Sequence, residues 1–381
     1  MQIIADENIP AAKAAFSVFG DVQTVHGRSL SAKDVADADV LLVRSVTRIN
    51  KDLLSASRVR FVGSATIGTD HVDLDWLASQ QIAFANAPAS NAVSAAEYVM
   101  SSLLTVARKR GQLLDDLVLG IIGCGNVGSR VQRRAEAMGL RCLVCDPPRA
   151  EREGMDGFVD MAEIANADVV SVHVPLVLQG PHQTRNLVSE AFISELKPHA
   201  IFINTARGDV VDERALKAKR QQYDDFGLIL DVWNNEPMID VELVQLADIA
   251  TPHIAGYSID GKLLATSMLY QALGEFTGKT GSWVMQQELP RPDTPLINLT
   301  ADMDRIAALS HCLWQVYDVA ADHQRLLAIL QMPDNERGAA FDRLRKEYPS
   351  RRECSAYEVT GQGLADEVTS MLRAFDFELA G

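Results

Sequence analysis

The apolar and polar positions of the first ninety residues alternate in short blocks. Short apolar runs, each bounded by polar residues or glycine, lie at positions 2–5, 22–25, 40–43, 60–63 and 82–85. Longer segments such as 9–19 separate these runs and have a helical pattern. Because short strands that alternate with helices are typical of βαβ units, the pattern predicts a parallel sheet covered by helices.

A long helix is predicted next, over residues 91–110. Apolar side chains recur there near a period of 3.6 residues, at Val93, Ala96, Val99, Met100, Leu103 and Ala107. Ser94 and Glu97 have the spacing of a capping box. Since the helix lies between two α/β sets, we expect it to bridge two domains.

A second α/β set follows this helix. Its predicted strands are 118–122, 141–145, 169–174, 200–204, 228–232 and 248–250. The nearly continuous apolarity of 169–174 favours a strand buried on both faces. An amphipathic helix over 262–276 is expected to return to the first domain.

The last ninety residues have a different pattern. Pro290, Pro292 and Pro295 mark a boundary, and the segments 302–330, 341–348 and 365–375 are more helical. The chain is therefore predicted to be an α/β protein with two Rossmann-like or flavodoxin-like parallel-sheet domains, followed by a small α+β C-terminal domain.

Size and charge restrict the function. A chain of 381 residues exceeds one hydrophobic core. The net charge of −15 argues against a nucleic-acid or anionic-membrane partner, and an anionic substrate would need local Arg or Lys. The first residues lack the basic region of a signal peptide, and no apolar run approaches the roughly 18 residues of a membrane span. A cytoplasmic location is expected.

The five cysteines do not indicate a disulfide framework. Cys142 and Cys145 form a C-x-x-C pair, but they fall on a predicted strand, where residues three apart point to opposite faces. The pair could therefore neither chelate a metal nor form a redox couple. Structural thiols are expected, and no metal site is predicted.

Gly123, Gly125 and Gly128 form G-x-G-x-x-G between a predicted strand and a helix predicted over 126–138. In this context Gly123 permits a tight turn, Gly125 lets a pyrophosphate approach the backbone, and Gly128 allows close helix–strand packing. The helix N-terminus would supply free N–H groups to the phosphates. The motif predicts a dinucleotide site.

Asp146 ends the next strand, 18 residues after Gly128. A carboxylate there would receive the ribose hydroxyls and repel a 2′-phosphate, which favours NAD over NADP. Arg149 leaves NADP open. The alternative is that Asp146 is only a turn residue before Pro147.

Arg207, Glu236 and His253 each lie just beyond a predicted strand. Ligands of open α/β sheets bind outside the carboxyl ends of strands, so the three could converge. Taken singly, each has another interpretation: a solvated charge, a turn before proline or a scaffold histidine. Their order beside a dinucleotide motif makes the enzymatic interpretation the more specific one.

These blocks resemble the D-2-hydroxy acid dehydrogenase family, from about residue 40 to 285. The matching blocks are 123–128, 204–208, 231–237 and 251–256. Further similarities at 5–10, 42–47, 145–149 and 348–353 extend the resemblance to nearly the whole chain. The last of them is similar to a C-terminal dimerisation domain, which implies a homodimer.

The resemblance implies a substrate-binding domain over 1–92 and 257–286, an NAD-binding domain over 93–256 and a dimerisation domain over 287–381. It also implies that Arg207, Glu236 and His253 are catalytic. Together with the glycine motif it gives the expected NAD contacts as Gly123, Gly125, Asn126, Val127, Gly128, Asp146, Val174, Ala206, Asp231 and Gly256. Val174 departs from the threonine that is common in the family.

The resemblance implies the oxidation of a small phosphorylated 2-hydroxy acid, and the residue types suit the oxidation of such an acid. Imidazole exchanges protons near neutral pH, so His253 would take the hydroxyl proton, and Glu236 would orient the ring. Arg207 would hold the substrate carboxylate as a two-pronged fork. The resemblance also implies substrate contacts at Ser45, Thr66 and Tyr257, and Arg44 is added as a hypothesis.

Arg44 with Ser45 is our candidate for binding the substrate phosphate, although Arg44 is equally well interpreted as a solvated strand-end charge.

Two alternatives to the oxidation of a phosphorylated 2-hydroxy acid other than 3-phosphoglycerate remain. Another family member would act on 3-phosphoglycerate or glycerate, but the tail lacks the βαββαβ pattern of phosphoglycerate enzymes. An NAD-sensing corepressor would retain the same three residues.

Overall fold

The computed structural model describes residues 1–114 and 117–380. They fall into two compact units: unit 1 is Met1–Asn91 with Ser258–Arg291, and unit 2 is Ala92–Tyr257 with Pro292–Gly381. Within the described residues, no helix combines the length and the apolarity that a bilayer span requires.

The strands of the described residues are β1 (Gln2–Asp6), β2 (Asp21–Val25), β3 (Val40–Val43), β4 (Phe61–Ser64), β5 (Ala83–Asn86), β6 (Val118–Ile122), β7 (Arg141–Cys145), β8 (Val169–Val172), β9 (Ile201–Asn204), β10 (Gly227–Leu230), β11 (Ile249–Ala250), β12 (Leu296–Asn298), β13 (Glu358–Thr360) and β14 (Glu378–Leu379).

The α-helices are α1 (Ala12–Phe16), α2 (Ala32–Val35), α3 (Lys51–Leu54), α4 (Leu74–Ser79), α5 (Ala92–Arg110), α6 (Gly128–Ala137), α7 (Pro147–Glu153), α8 (Met161–Ile164), α9 (Glu190–Glu195), α10 (Glu213–Gln222), α11 (Val241–Leu246), α12 (Ile259–Thr277), α13 (Arg305–Val316), α14 (Val319–Ile329), α15 (Asp334–Lys346) and α16 (Asp366–Ala374). Short 3₁₀ turns cover Gly27–Ser29, Gly208–Val210, Met285–Glu288 and Cys354–Ala356.

Unit 1 is a parallel sheet in the order β2-β1-β3-β4-β5. Successive residues of a strand point to opposite faces, so Ile3 and Leu42 join one apolar cluster while Ile4 and Leu41 join another. Leu269 of α12 packs into the first of these clusters. The predicted return of this helix to the first domain is confirmed.

Unit 2 is built on a parallel sheet in the order β11-β10-β9-β8-β6-β7. β7 pairs with one edge of β6, and β8 pairs with the other. The chain therefore reverses its direction of travel across the sheet at β6, and ligands of such sheets bind at this switch point. The predicted α/β class with parallel sheets is confirmed.

The C-terminal part of unit 2 holds a small parallel sheet in the order β12-β13-β14. Its helices share one apolar core with the long helix α5, as Leu103 of α5 packs in the same cluster as Leu309 of α13 and Phe375. The C-terminal segment therefore packs against α5 and the large parallel sheet of unit 2 in its own chain.

Of two local predictions for the helices, one is wrong and one is confirmed. Ser94 and Glu97 do not cap a helix, because α5 begins at Ala92 and Glu97 is buried, accepting a hydrogen bond from Cys354 N at 2.8 Å. The predicted helical character of 302–330 is confirmed, in two helices: α13 ends at Val316, and the Asp318 side chain caps α14. At Glu97, in contrast, a distant partner outweighs the local capping pattern.

The C-x-x-C pair behaves as predicted. Cys142 packs on one face of the sheet, in the cluster of α5, and Cys145 packs in the cluster on the other face. Both are free thiols. Burial raises the pKa of Cys142 to about 12 and that of Cys145 to about 11, so both remain unreactive thiols near neutral pH.

Candidate active site

The glycine-rich turn after β6 has the geometry that its sequence predicts. Gly123 has φ +86°, and a Cβ there would lie 2.6 Å from Val174 Cγ1. A Cβ on Gly128 would clash with the carbonyl oxygen of Gly123, so the start of α6 lies directly against the turn. Gly125, in contrast, is exposed and faces open space with no atom within 4 Å of an added Cβ. The turn is closed on its packed side and open at Gly125, as a phosphate cradle requires.

Asp146 connects the end of β7 to this turn. One carboxylate oxygen accepts a hydrogen bond from Cys124 N at 2.7 Å, and the other accepts from Arg149 N at 3.0 Å, which caps α7. Arg149 donates to the carbonyl of Cys124 at 3.1 Å and pairs with Glu153 at 2.8 Å. Asp146 is thus a capping residue, as its alternative interpretation held, and it also lies at the glycine turn, where the nucleotide interpretation requires it.

The loop after β9 holds Arg207 through its own backbone. The Asn204 side chain accepts from Ala206 N at 3.0 Å and donates to the carbonyl of Arg207 at 3.1 Å. A side chain at Gly208 would overlap the backbone of Trp233. The loop that carries Arg207 therefore packs directly against the loop that leads to Glu236.

Asp231 fixes the loop that carries His253. Its carboxylate accepts hydrogen bonds from Ile254 N at 2.7 Å, Ala255 N at 2.9 Å and Thr251 Oγ1 at 2.6 Å. His253 itself has φ +57°, a left-handed conformation that costs free energy and persists only where neighbouring contacts impose it. Asp231 is 1% exposed, and its carboxylate supports this loop. Its predicted contact with the cofactor stays a prediction.

Glu236 and His253 are brought into contact. Glu236 Oε2 lies 2.8 Å from His253 Nδ1, and Oε1 accepts from Trp233 N at 3.0 Å. Burial pushes the pKa of Glu236 upward, but the nearby His253 and Arg345 charges and the hydrogen bonds outweigh this and hold the pKa below its usual value. An ionised Glu236 accepts from Nδ1–H, which leaves Nε2 as the ring nitrogen for proton exchange.

The predicted substrate residues lie in two places. Arg44 and Ser45 follow β3, and Thr66 follows the adjacent strand β4, so the three share one end of the unit 1 sheet. Thr66 Oγ1 lies 2.7 Å from Ser64 Oγ and donates to the carbonyl of Gly68 at 3.0 Å. Tyr257 belongs to unit 2.

Residues that the sequence analysis did not predict also contact the loops of Glu236 and His253. The pKa of Glu213 is raised to about 7 by burial, and its side chain accepts from Asn234 N at 2.7 Å, two residues before Glu236. Arg351, 6% exposed, donates to the carbonyl of Ala255 at 2.8 Å. Glu213 has no local sequence signal, and the block 348–353 that contains Arg351 indicates dimerisation rather than support of this loop.

His173 is a further missed neighbour, at the end of β8. Its Nε2 lies 2.9 Å from Ser171 Oγ, and its Nδ1 lies 3.4 Å from Thr205 Oγ1. Burial lowers the pKa of His173 to about 3, so the ring is neutral near pH 7. It connects the β8 and β9 ends without adding charge.

Comparison with known families gives two matches. Residues 83–255 match the model of the D-isomer specific 2-hydroxyacid dehydrogenase, NAD binding domain. Residues 288–375 match a domain of unknown function, DUF3410.

Individual relatives and solved structures agree with this. The erythronate-4-phosphate dehydrogenases of Marinobacter nauticus and Edwardsiella ictaluri are each 44% identical to this chain, over 100% and 99% of both chains respectively. Among solved structures, D-lactate dehydrogenase from Aquifex aeolicus, complexed with NAD and lactic acid, is 26% identical with a TM-score of 0.64, over 73% of this chain and 96% of that chain.

Proposed function

The chain belongs to the D-isomer specific 2-hydroxyacid dehydrogenase family, and from this we propose that it oxidises 4-phospho-D-erythronate to 3-hydroxy-2-oxo-4-phosphooxybutanoate with NAD, in the biosynthesis of pyridoxal 5′-phosphate. The observation that carries the proposal is the contact of 2.8 Å between Glu236 and His253, beside the loop of Arg207. The full-length similarity to erythronate-4-phosphate dehydrogenases selects the substrate.

The residues present fit NAD. The open space over Gly125 would receive the pyrophosphate, and the exposed Asn126 begins the turn into α6. Asp146, at the end of β7, would receive the ribose hydroxyls. Val174, which packs over Gly123, would contact the cofactor through its backbone and methyl groups rather than through a hydroxyl. When bound, the oxidised nicotinamide supplies the hydride acceptor.

The protein's own groups perform the proton chemistry and the positioning. His253 Nε2 takes the proton of the substrate hydroxyl while Glu236 holds Nδ1 and balances the charge that develops on the ring. Arg207 pairs with the substrate carboxylate as a planar fork, which fixes the carbinol carbon for reaction. Because these loops brace each other through Asp231 and Gly208, the groups are preorganised.

Arg44 with Ser45 is proposed to read the substrate phosphate. Both lie at the sheet end that also carries Thr66, and Arg44 offers the local positive charge that an anion needs in a chain of net charge −15. Arg44→Ala should raise KM for the phosphorylated acid about tenfold or more, and far less for an unphosphorylated analogue. An equal rise for both substrates would contradict this role.

The substrate is tested by absorbance at the reduced-nicotinamide band, with 4-phospho-D-erythronate, 3-phosphoglycerate and glycerate assayed side by side. The proposal predicts the highest kcat/KM for the first. Preference for either of the others would overturn the substrate and retain the family's reaction. Binding of NAD without turnover of any 2-hydroxy acid would favour the corepressor alternative.

Homodimerisation through residues 287–381 and a cytoplasmic location are also proposed. Support for the dimer comes from the sequence block 348–353 and from a groove between α5 and α13, lined in part by Leu104, Leu113 and Trp314. Light scattering of the full chain should give twice the mass of 41.6 kDa. A monomer at micromolar concentration would contradict the assignment.

A further inference from the structure

Helix α15 of the C-terminal segment packs against the loop that carries Glu236. A Cβ on Gly338 would lie 2.9 Å from Met238 Sδ and 3.4 Å from Pro237 Cγ. The helix therefore approaches the residues directly after Glu236 at a distance that leaves little room for a side chain. The C-terminal segment is in direct contact with a catalytic loop of its own chain.

Arg345 lies on the same face of α15 as Gly338, since the two are seven residues, or about two turns, apart. Its guanidinium carbon is 5.8 Å from the centre of the Tyr257 ring, and the guanidinium is hydrogen-bonded to the Tyr257 side chain. Tyr257 in turn packs edge-on against Tyr348, with ring centres 5.7 Å apart. Arg345 therefore holds the predicted substrate residue Tyr257 from the side of the C-terminal segment.

The contacts with Tyr257 leave one nitrogen of Arg345 without a hydrogen bond among the described residues. This nitrogen, Nε, is buried. Its positive charge acts on Glu236 as well as on Tyr257, and Asp342 on the same helix is the other acid that it senses. Burial alone would lower the pKa of Arg345, but Tyr257, Glu236 and Asp342 outweigh this and raise it, so the guanidinium keeps its charge beside these groups.

We propose that Arg345 is a positioning residue of the Glu236–His253 pair: it holds Tyr257 and keeps a fixed positive charge beside Glu236 while His253 exchanges its proton. This rests on the proposed function only in assigning His253 as the base. The sequence predicts only a role in dimerisation for the C-terminal segment. Through Arg345 this segment also supports the catalytic loops of its own chain.

The physical reason is the charge of the pair in its two states. With His253 protonated, Glu236 and the imidazolium neutralise each other; once His253 is neutral, the ready base, Glu236 becomes a buried anion that lacks this counterion. A fixed cation beside Glu236 stabilises the second state and so favours the neutral form of His253, which accepts the substrate proton.

Other charged groups also surround the Glu236–His253 pair. Asp231 interacts electrostatically with His253, and Glu213 interacts electrostatically with Glu236. Both are acids, and in their ionised forms they favour a protonated His253. Arg207 lies in the adjacent loop and adds a second positive charge when no substrate is bound. Arg345 is the arginine whose charge acts on Glu236 whether or not substrate is present.

The first test is the pH profile of kcat/KM for oxidation, measured on the full chain. In Arg345→Met the acid limb, where His253 loses its proton, should move about one pH unit to higher pH. Arg345→Lys, which keeps the charge, should stay within about 0.3 units of the wild type. Arg343→Met, on the exposed side of the same helix, is the matched control and should leave the profile unchanged. A lower rate at every pH with an unmoved limb would overturn the proposal.

A second measurement separates this inference from the proposed function. NMR titration of the labelled His253 imidazole, assigned by its loss in His253→Asn, needs no substrate and no turnover. The proposal predicts the same upward shift in Arg345→Met and in Arg345→Gln, whichever of the two folds with native thermal stability. An unshifted titration would overturn it even in an active enzyme, whereas a shift in a protein that oxidises no 2-hydroxy acid would count against the proposed function alone.

Discussion

The two candidate ligand sites of unit 2 are built in different ways. The glycine-rich turn after β6 offers backbone and open space, as Gly125 has no neighbour within 4 Å of an added Cβ. The candidate catalytic loops after β9, β10 and β11 present side chains that buried hydrogen bonds hold in place, with Asp231 accepting three of them. The first region depends on residues close together in sequence, and the second depends on contacts between segments far apart.

The largest expected effect is on the loop supports. Asp231→Ala leaves two backbone N–H groups and the Thr251 hydroxyl without their acceptor, so it should lower the free energy of unfolding by about 3 kcal/mol. Urea unfolding followed by circular dichroism measures this. Asp224→Ala, at a fully exposed side chain, should change it by less than about 0.5 kcal/mol. Equal losses in the two variants would contradict the bracing role of Asp231.

The next effect separates the two glycines of the turn. Gly125→Ala should fold with the wild-type melting temperature but bind NAD at least about tenfold more weakly, because its methyl group enters the space left for the ligand. Gly128→Ala should lose both stability and affinity, since its methyl group meets the Gly123 carbonyl. Thermal melting and fluorescence titration with NADH distinguish them. Wild-type affinity in Gly125→Ala would show that the open space is not the cradle.

The smallest effect concerns Glu213, which supports the loop of Glu236. Burial raises its pKa to about 7. The folded protein therefore loses stability as the pH rises from the ordinary pKa of a glutamate through 7, because Glu213 must then ionise while buried. Glu213→Gln still accepts from Asn234 N and should therefore stabilise the protein at pH 8 by about 1 kcal/mol relative to its effect at pH 5. The exposed Glu275→Gln should show no such pH dependence. The same shift in both variants would contradict the burial argument.

The sequence predicted best what is set by neighbouring residues. The strands 40–43, 118–122 and 141–145 have the predicted bounds because each is a mainly apolar run that ends at a polar residue or glycine. The three roles of the glycines in the turn follow from backbone geometry within six residues, and the structure has the packing that those roles require.

The wrong capping prediction and the residues that the sequence did not predict both involve contacts with distant segments of the chain. Glu97 has capping-box spacing, yet its buried carboxylate serves Cys354 N and lies near the fully buried Arg134. Arg345 carries no local signal either, because its role arises only when α15 packs on the Pro237 loop. Periodicity and motif spacing cannot indicate contacts between segments that meet only in the folded chain.

The central claim is that His253, held by Glu236, is the base of an NAD-dependent oxidation. The most direct test is kcat together with the NAD dissociation constant for His253→Ala. We predict a loss of kcat of at least about a hundredfold with NAD affinity nearly unchanged. A His253→Ala enzyme that still turns over at the wild-type rate would remove this imidazole from the mechanism.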